Sequence, residues 1–486
     1  MKKPYTVPMK NFLKKSLVLP LFLLLSPLFG QPYNTGAILD PVRYEQIELE
    51  PDLISRSYGT PRKVSLMQYS PIPGHQQYGT CVGWASAYAA KTISESVAMK
   101  RIDLTETSNN VFSPYFVYIG HYLSLGMTLS LDDGAVISQV LDYMRDVGNV
   151  RMSEFERTMD LSLIRFPMYA GSQPDQYRIA KYVRLFANRG PGTIADRVRP
   201  VRKCLSEGKP VIIGMNLTPS FLNFGTVVWR PRPDENPNVN YGMGHAMCVV
   251  GYDDDMYGGA FEILNSWGAN WANRGYVWIR YSDFADYVEE AYKIIEPLTS
   301  YENAANFAAS IEINVFNDTR GMPVTYDREG FYRTRYSYSL GTQFQFQMTN
   351  RYPAYVYAFS ADDSSSDIEH IFPMSGVSPV LDYADSTVAW PGENEGMMIA
   401  STAGIHYLVV LYSKQALDIE AIERRFATER GTFQERVARA VGSNFISPYG
   451  PNRSLQYESD AIEFTAETYD PKSVFGLFLA IEHQAR

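Results

Sequence analysis

The sequence predicts an α+β protein in two parts. In the first, a helical half precedes a β half with a cleft between them; the second is mostly β, sandwich-like, with one helical segment. Three observations predict this. Apolar residues recur at helical spacing from Val82 to Glu95 and from Gly134 to Val147, where Val136, Val140, Leu141, Met144 and Val147 share a face. From Lys209 the period moves toward two and toward continuous apolar runs. After Glu296-Pro297 the composition turns to tyrosine-rich, strictly alternating segments such as Ser339 to Met348.

In chain order, residues 1–30 read as a secretory signal peptide, because Lys2, Lys3, Lys10, Lys14 and Lys15 precede the apolar run Leu17 to Leu25. That run is too short and proline-interrupted to span a bilayer, so no stable membrane anchor is expected. The expected location is secreted, periplasmic or at the cell surface. Residues 31–70, with Asp40-Pro41 and Ser70-Pro71-Ile72-Pro73, read as an extended lead-in.

The first folded part is expected over residues 71–298. Gly79 allows a tight turn, Thr80 offers a helix cap, and Cys81 falls in the first helical turn. Unpaired N–H groups and the helix dipole favour thiolate there, lowering a thiol from ~8.5. The competing reading is a buried, inert cysteine. Further helices are expected at Pro114 to Leu125, Gly134 to Val147 and Val201 to Gly208. Strands follow at Lys209 to Met215, Val227 to Trp229, Met247 to Tyr252, Ala260 to Leu264 and Gly275 to Arg280. His245 opens one strand and Asn265 ends another. Cysteine, then histidine, then asparagine is the set expected for a thiol nucleophile, its base and the group that orients the base.

These residues resemble the papain-like (C1) cysteine peptidases, in the bacterial form where Val82-Gly83-Trp84 follows the cysteine; Asn265-Ser266-Trp267-Gly268 is the most specific segment. The resemblance implies a papain-like two-lobed domain, helical left lobe and antiparallel β right lobe, acting on polypeptides. It makes Cys81 the nucleophile, His245 the general base and acid, Asn265 the orienter of the imidazole, and Trp267 the indole shielding that bond and facing substrate. The family's oxyanion glutamine stands six residues before the nucleophile, where this chain has His75; Gln76 is taken as the donor, with Gln77 beside it. Gly134 lies where the family binds substrate backbone. Trp84, on another helix face, is assigned to the core. The family's long helical propeptide has no counterpart of that length here.

Residues 305–486 form the second part, with strands at Ala354 to Ser360, Met397 to Ser401, His406 to Tyr412 and Ser473 to Ile481, and a helical stretch from Leu417 to Val441. It resembles an uncharacterised accessory domain of exported bacterial proteins. A role in binding a partner protein or polymer, dispensable for chemistry, is expected.

A net charge of −9 with no basic patch argues against nucleic acid. The cysteines other than Cys81, Cys204 and Cys248, are expected as buried free thiols. Asp253-Asp254-Asp255 reads as a solvated turn, and His121, His370, His406 and His483 are scattered, so no metal and no cofactor are expected. Hydrolysis of peptide bonds is the leading expectation. The alternatives are a peptidase-shaped module that binds without cutting, and acyl transfer or peptide ligation by the same residues.

Overall fold

The helix that begins at Cys81 runs through the middle of the first part. It starts as an α-turn at Cys81–Gly83, widens to π winding over Trp84–Lys91 and returns to α at Thr92–Ala98. Every residue from Cys81 to Ser94 is buried, as befits a helix apolar on all sides and wrapped by other elements. Gly83 lies against the backbone of the next long helix, Pro114–Ser124, whose Ser113 accepts a capping bond from the Phe116 amide at 3.1 Å. A Cβ on Gly83 would stand 2.2 Å from the Pro114 carbonyl oxygen. Trp84 packs on Tyr88 and Tyr115, the core role expected of it. Thr80 precedes the helix, but its hydroxyl makes no capping bond, contrary to expectation.

This computed structural model describes residues 33–51, 60–155, 173–188, 193–223, 226–298, 306–318, 321–362, 367–382, 386–392, 395–398, 402–446, 455–458, 461–468 and 470–485. The expected signal peptide lies outside them. None of the described helices is long and apolar enough to cross a membrane.

The strands of the first part are β1 (Ala37–Ile38), β2 (Lys63–Ser65), β3 (Ala135–Val136), β4 (Lys181–Arg184), β5 (Val211–Asn216), β6 (Val228–Trp229), β7 (Gly244–Asp253), β8 (Ala260–Leu264), β9 (Tyr276–Arg280) and β10 (Val288–Ile295). Among the described residues, one sheet takes the order β4-β10-β5-β7-β8-β9-β6, with β2 on β7. Its pairings are antiparallel except for β6 with β9. β5, β7 and β8 are buried throughout apart from Gly244, which explains why they read as near-continuous apolar runs. A separate two-stranded pairing joins β1 to β3 in parallel.

The second part is two facing sheets. Ser386–Trp390, Gln343–Asn350, Asn306–Val315 and Ile462–Glu467 lie side by side in one. The other contains Phe331–Thr334, Val474–Gln484, Gly404–Ser413 and Ala354–Asp362. Alternation decides which side chain goes where. Val356, Ala358, Leu408, Val410, Leu477 and Leu479 point between the sheets, while Tyr355, Tyr357, Phe359, Val409, Leu411 and Phe478 point outward. The outward face is not left in water. Helices Ile419–Thr428 and Phe433–Val441 cover it, and Val183, Ile295 and Leu298 of the first part join the same apolar cluster. The stretch expected as one helix from Leu417 to Val441 is therefore two, broken at Gly431 (φ +114°) and restarted by a capping box between Thr432 and Glu435.

The two parts are also tied by backbone and charge. The Leu49 amide donates to the Gly376 carbonyl at 2.7 Å, and the Ser378 amide donates to the Leu49 carbonyl at 2.9 Å. The ammonium of fully buried Lys293 lies 2.6 Å from Glu50 and 2.7 Å from Asp382. Asn34–Arg486 accordingly form one compact unit.

Candidate active site

His245 opens β7 and Asn265 follows β8, so neighbouring strand ends bring them together. Imidazole Nε2 lies 2.8 Å from the Asn265 side-chain oxygen, which also accepts the Ser266 amide at 2.7 Å. Trp267 stacks on the imidazole, with ring centroids 4.7 Å apart at 26°. The pair is thus closed off from water, and a buried, shielded hydrogen bond holds the ring in one orientation. The other nitrogen, Nδ1, is buried and bonds to no described group.

Cys81 lies across from this strand end. The amides of Ala246, the residue after His245, and of Ala37 act on its sulfur, together with those of Val82 and Cys81. All four favour the thiolate, but burial outweighs them and pushes the thiol up to about 12. Burial likewise lowers His245 to about 4, against the Asn265 bond, which pulls the other way. The lowered thiol expected from the helix start is therefore not what this arrangement holds. Burial thus favours the neutral thiol and the neutral imidazole, because desolvation of two fully buried side chains outweighs the amides at the helix start and the Asn265 bond.

Gln76 is buried, and neighbouring Gln77 is exposed. The Gln76 amide is fully engaged. Its oxygen accepts from the Ser266 hydroxyl, and its nitrogen donates to the Asn34 carbonyl at 3.0 Å and the Tyr78 carbonyl at 2.9 Å. Gly134 sits beside the site with φ +78°, its carbonyl taken by the hydroxyls of Tyr118 and Tyr122. The backbone donor at this edge is the next amide, that of Ala135, which donates to the Gly36 carbonyl at 2.8 Å. Asn34, Gly36, Ala135 and Ser266 belong to the site and were not singled out from sequence. Only Ser266, next to Asn265, carried a local signal.

The remaining expectations sort simply. Cys81, Cys204 and Cys248 are buried free thiols. Asp253, Asp254 and Asp255 are engaged by Lys63, Arg202 and Arg62 respectively. Among the described residues no group of three metal-ligating side chains gathers.

A buried thiol at a helix start, an imidazole on the opposing strand end and an amide behind it make a thiol–imidazole–amide site. Comparison with known proteins gives its family. Residues 133–294 match the family described as papain family cysteine protease; the chain carries a papain-family cysteine peptidase domain. The matched segment contains Gly134, His245, Asn265 and Trp267, and begins beyond Gln76 and Cys81. An uncharacterized peptidase C1-like protein of Acanthamoeba polyphaga mimivirus is 24% identical over 244 residues, 49% of this chain and 73% of that protein. Xylellain, a cysteine protease from Xylella fastidiosa, is 22% identical with a TM-score of 0.41, over 55% of this chain and 96% of its own. Digestive procathepsin L 3 of the Tenebrio molitor larval midgut is 17% identical with a TM-score of 0.38, over 52% and 77% of the two chains.

Proposed function

We propose that this chain hydrolyses peptide bonds, with Cys81 as nucleophile, His245 as its base and then its acid, and Asn265 as the orienter. The observation that carries this reading is the 2.8 Å bond between His245 Nε2 and Asn265 beneath Trp267, which leaves Nδ1 unpaired. An imidazole held by one nitrogen has the other available for a proton. In the proposed cycle Cys81 gives its proton to Nδ1 and attacks the carbonyl carbon. The Cys81 amide and a Gln76 N–H receive the oxyanion, and Nδ1 returns the proton to the leaving amine. Water then releases the acyl group.

Labelling by an epoxide thiol inhibitor, lost in Cys81→Ala, tests the nucleophile, and cleavage of a peptide library tests the reaction. A protein that labels but cleaves nothing would favour acyl transfer to another acceptor. Export is part of the proposal and is supported by the sequence of residues 1–30. Recovery of the protein only from the cell interior, with its first residues intact, would refute it.

A further inference from the structure

Tyr118 and Tyr122 stand one helical turn apart on Pro114–Ser124, both buried, with ring centroids 5.3 Å apart. Their hydroxyls turn toward the segment that joins this helix to β3. Tyr122 donates to the Gly134 carbonyl. The Tyr118 hydroxyl lies 3.2 Å from that same carbonyl oxygen and 3.1 Å from that of Ser130. A carbonyl oxygen has two lone pairs, so Gly134 can accept both hydroxyls at once. Residues 127–134 form neither helix nor strand, and these side-chain donors take the place of a ladder there. Burial raises both phenols above their usual range, which keeps them protonated as donors. The helix that carries them is itself fixed. Its start lies on Gly83, as described above, and at its middle a Cβ on Gly120 would stand 2.1 Å from the Tyr143 ring. The held segment also borders the residues that lead into Cys81, since a Cβ on Gly79 would stand 3.1 Å from the Asp132 carbonyl oxygen and 3.2 Å from that of Leu131.

We propose that Tyr118 and Tyr122 are positioning residues for the substrate main chain: by holding the Gly134 carbonyl they fix the Gly134–Ala135 edge relative to Cys81. The inference rests on the peptidase reading above and deepens it. Extended backbone that passes the Cys81 sulfur lies in register with this edge, because the Ala37 amide acts on the sulfur and Ala37 pairs with Ala135. An extended peptide meets such an edge through main-chain hydrogen bonds, whatever side chains it carries. Those bonds favour binding only where the edge already stands in place, since ordering a loose segment at the moment of binding costs conformational entropy. The two hydroxyls supply that order beforehand. They are engaged by backbone carbonyls and take no part in moving the proton between Cys81 and His245. Their removal therefore weakens the binding of any substrate long enough to reach the edge and leaves the chemistry at the sulfur alone.

The test compares two substrates in the full chain carrying both Tyr118→Phe and Tyr122→Phe, which keeps the packed rings and removes the hydroxyls. One substrate is an extended peptide; the other is a blocked single-residue ester, too short to reach the edge. KM for the peptide should rise by about tenfold, while kcat for both substrates and KM for the ester stay within about twofold of wild type. A merely structural loss behaves differently, because a smaller folded fraction lowers kcat for both substrates alike. Equal changes for the two substrates, or no change for either, overturn the positioning role and leave the peptidase reading standing. A wild-type chain that turns over neither substrate, and whose Cys81 resists an epoxide thiol inhibitor, overturns both. Should the double variant fail to fold, Tyr122→Phe alone decides by the same comparison, with a rise of about threefold expected in KM for the peptide. An unchanged KM in that variant overturns the proposal.

Discussion

At the scale of single residues, the site depends on a few atoms that can be removed separately. Cys81→Ala should keep the wild-type melting temperature and lose at least about 10³-fold in turnover, because the proposed nucleophile has no substitute; retention of activity within tenfold would refute the assignment. Asn265→Ala should cost less than His245→Ala. Trp267 stacked on the ring supplies part of the orientation, whereas His245 is itself the proposed base. Equal losses in kcat would contradict those roles. The imidazole also couples stability to pH. His245 titrates near 4 when folded, against 6.5 ordinarily, so between those values the unfolded chain binds a proton that the folded chain does not. Its contribution is complete above pH 6.5 and is lost as pH falls toward 4, amounting at most to about 3 kcal/mol. His121, lowered by burial to about 4 as well, acts in the same window. Denaturant unfolding at pH 7 and pH 4.5 should show the fall, with a shallower slope in His245→Asn.

At the scale of elements, the contact between the Cys81 helix and Pro114–Ser124 sets where the thiol stands. Gly83→Ala forces the two backbones apart at a 2.2 Å approach and should destabilise by about 1–3 kcal/mol, measured by thermal unfolding. Labelling of Cys81 should change with it, because the shift begins two residues from the sulfur. How much of this was legible in sequence depended on the range over which each element is determined. The Cys81 helix start, the His245 and Asn265 strand ends and the strand Ala260–Leu264 are written locally, in spacing and in turn residues. β10 was not found, because Glu289, Glu290 and Lys293 give it the look of a surface segment. Those polar groups are accommodated by distant partners, Glu290 by Asp40 and Lys293 by Glu50 and Asp382. β1 is two residues long and exists only because Ala135 lies opposite, nearly a hundred positions away. Leu417 to Val441 reads as one helix because its apolar spacing continues across Gly431, where the backbone turns.

At the scale of the whole molecule, the second part is joined to the first by a core rather than by a linker. Val183, Ile295 and Leu298 pack with Tyr355, Phe359 and Leu411, so a chain ended near residue 300 would expose them. Such a fragment should be aggregated or markedly less stable, instead of the autonomous peptidase that composition alone suggests; a soluble fragment with full melting stability would count against this. The buried charges give a finer test. Asp382, held low by Lys293 and Lys209 despite burial, is the anion that balances Lys293, whereas burial raises Glu50 to about 7. Asp382→Asn should therefore cost about 3 kcal/mol in denaturant unfolding, since it leaves an ammonium buried without a full counter-charge. Glu50→Gln should cost under about 1 kcal/mol, being close to the protonated form it replaces.

The position of Val474–Gln484 has a consequence for how the protein is made. This strand is flanked by Gly404–Ser413 on one side and by Phe331–Thr334 on the other, so the sheet that covers Val183 and Ile295 lacks its middle until residues near 480 have left the ribosome. Synthesis runs in the other direction, and the segment carrying Cys81, His245 and Asn265 emerges long before its outer cover exists. Nascent chains arrested at residue 470 should thus be cut by added protease within the first part, and chains released at full length should resist. Equal resistance of both would show that the first part closes without waiting for the second. The first part would stay without its outer cover until the strand Val474–Gln484 has followed it out.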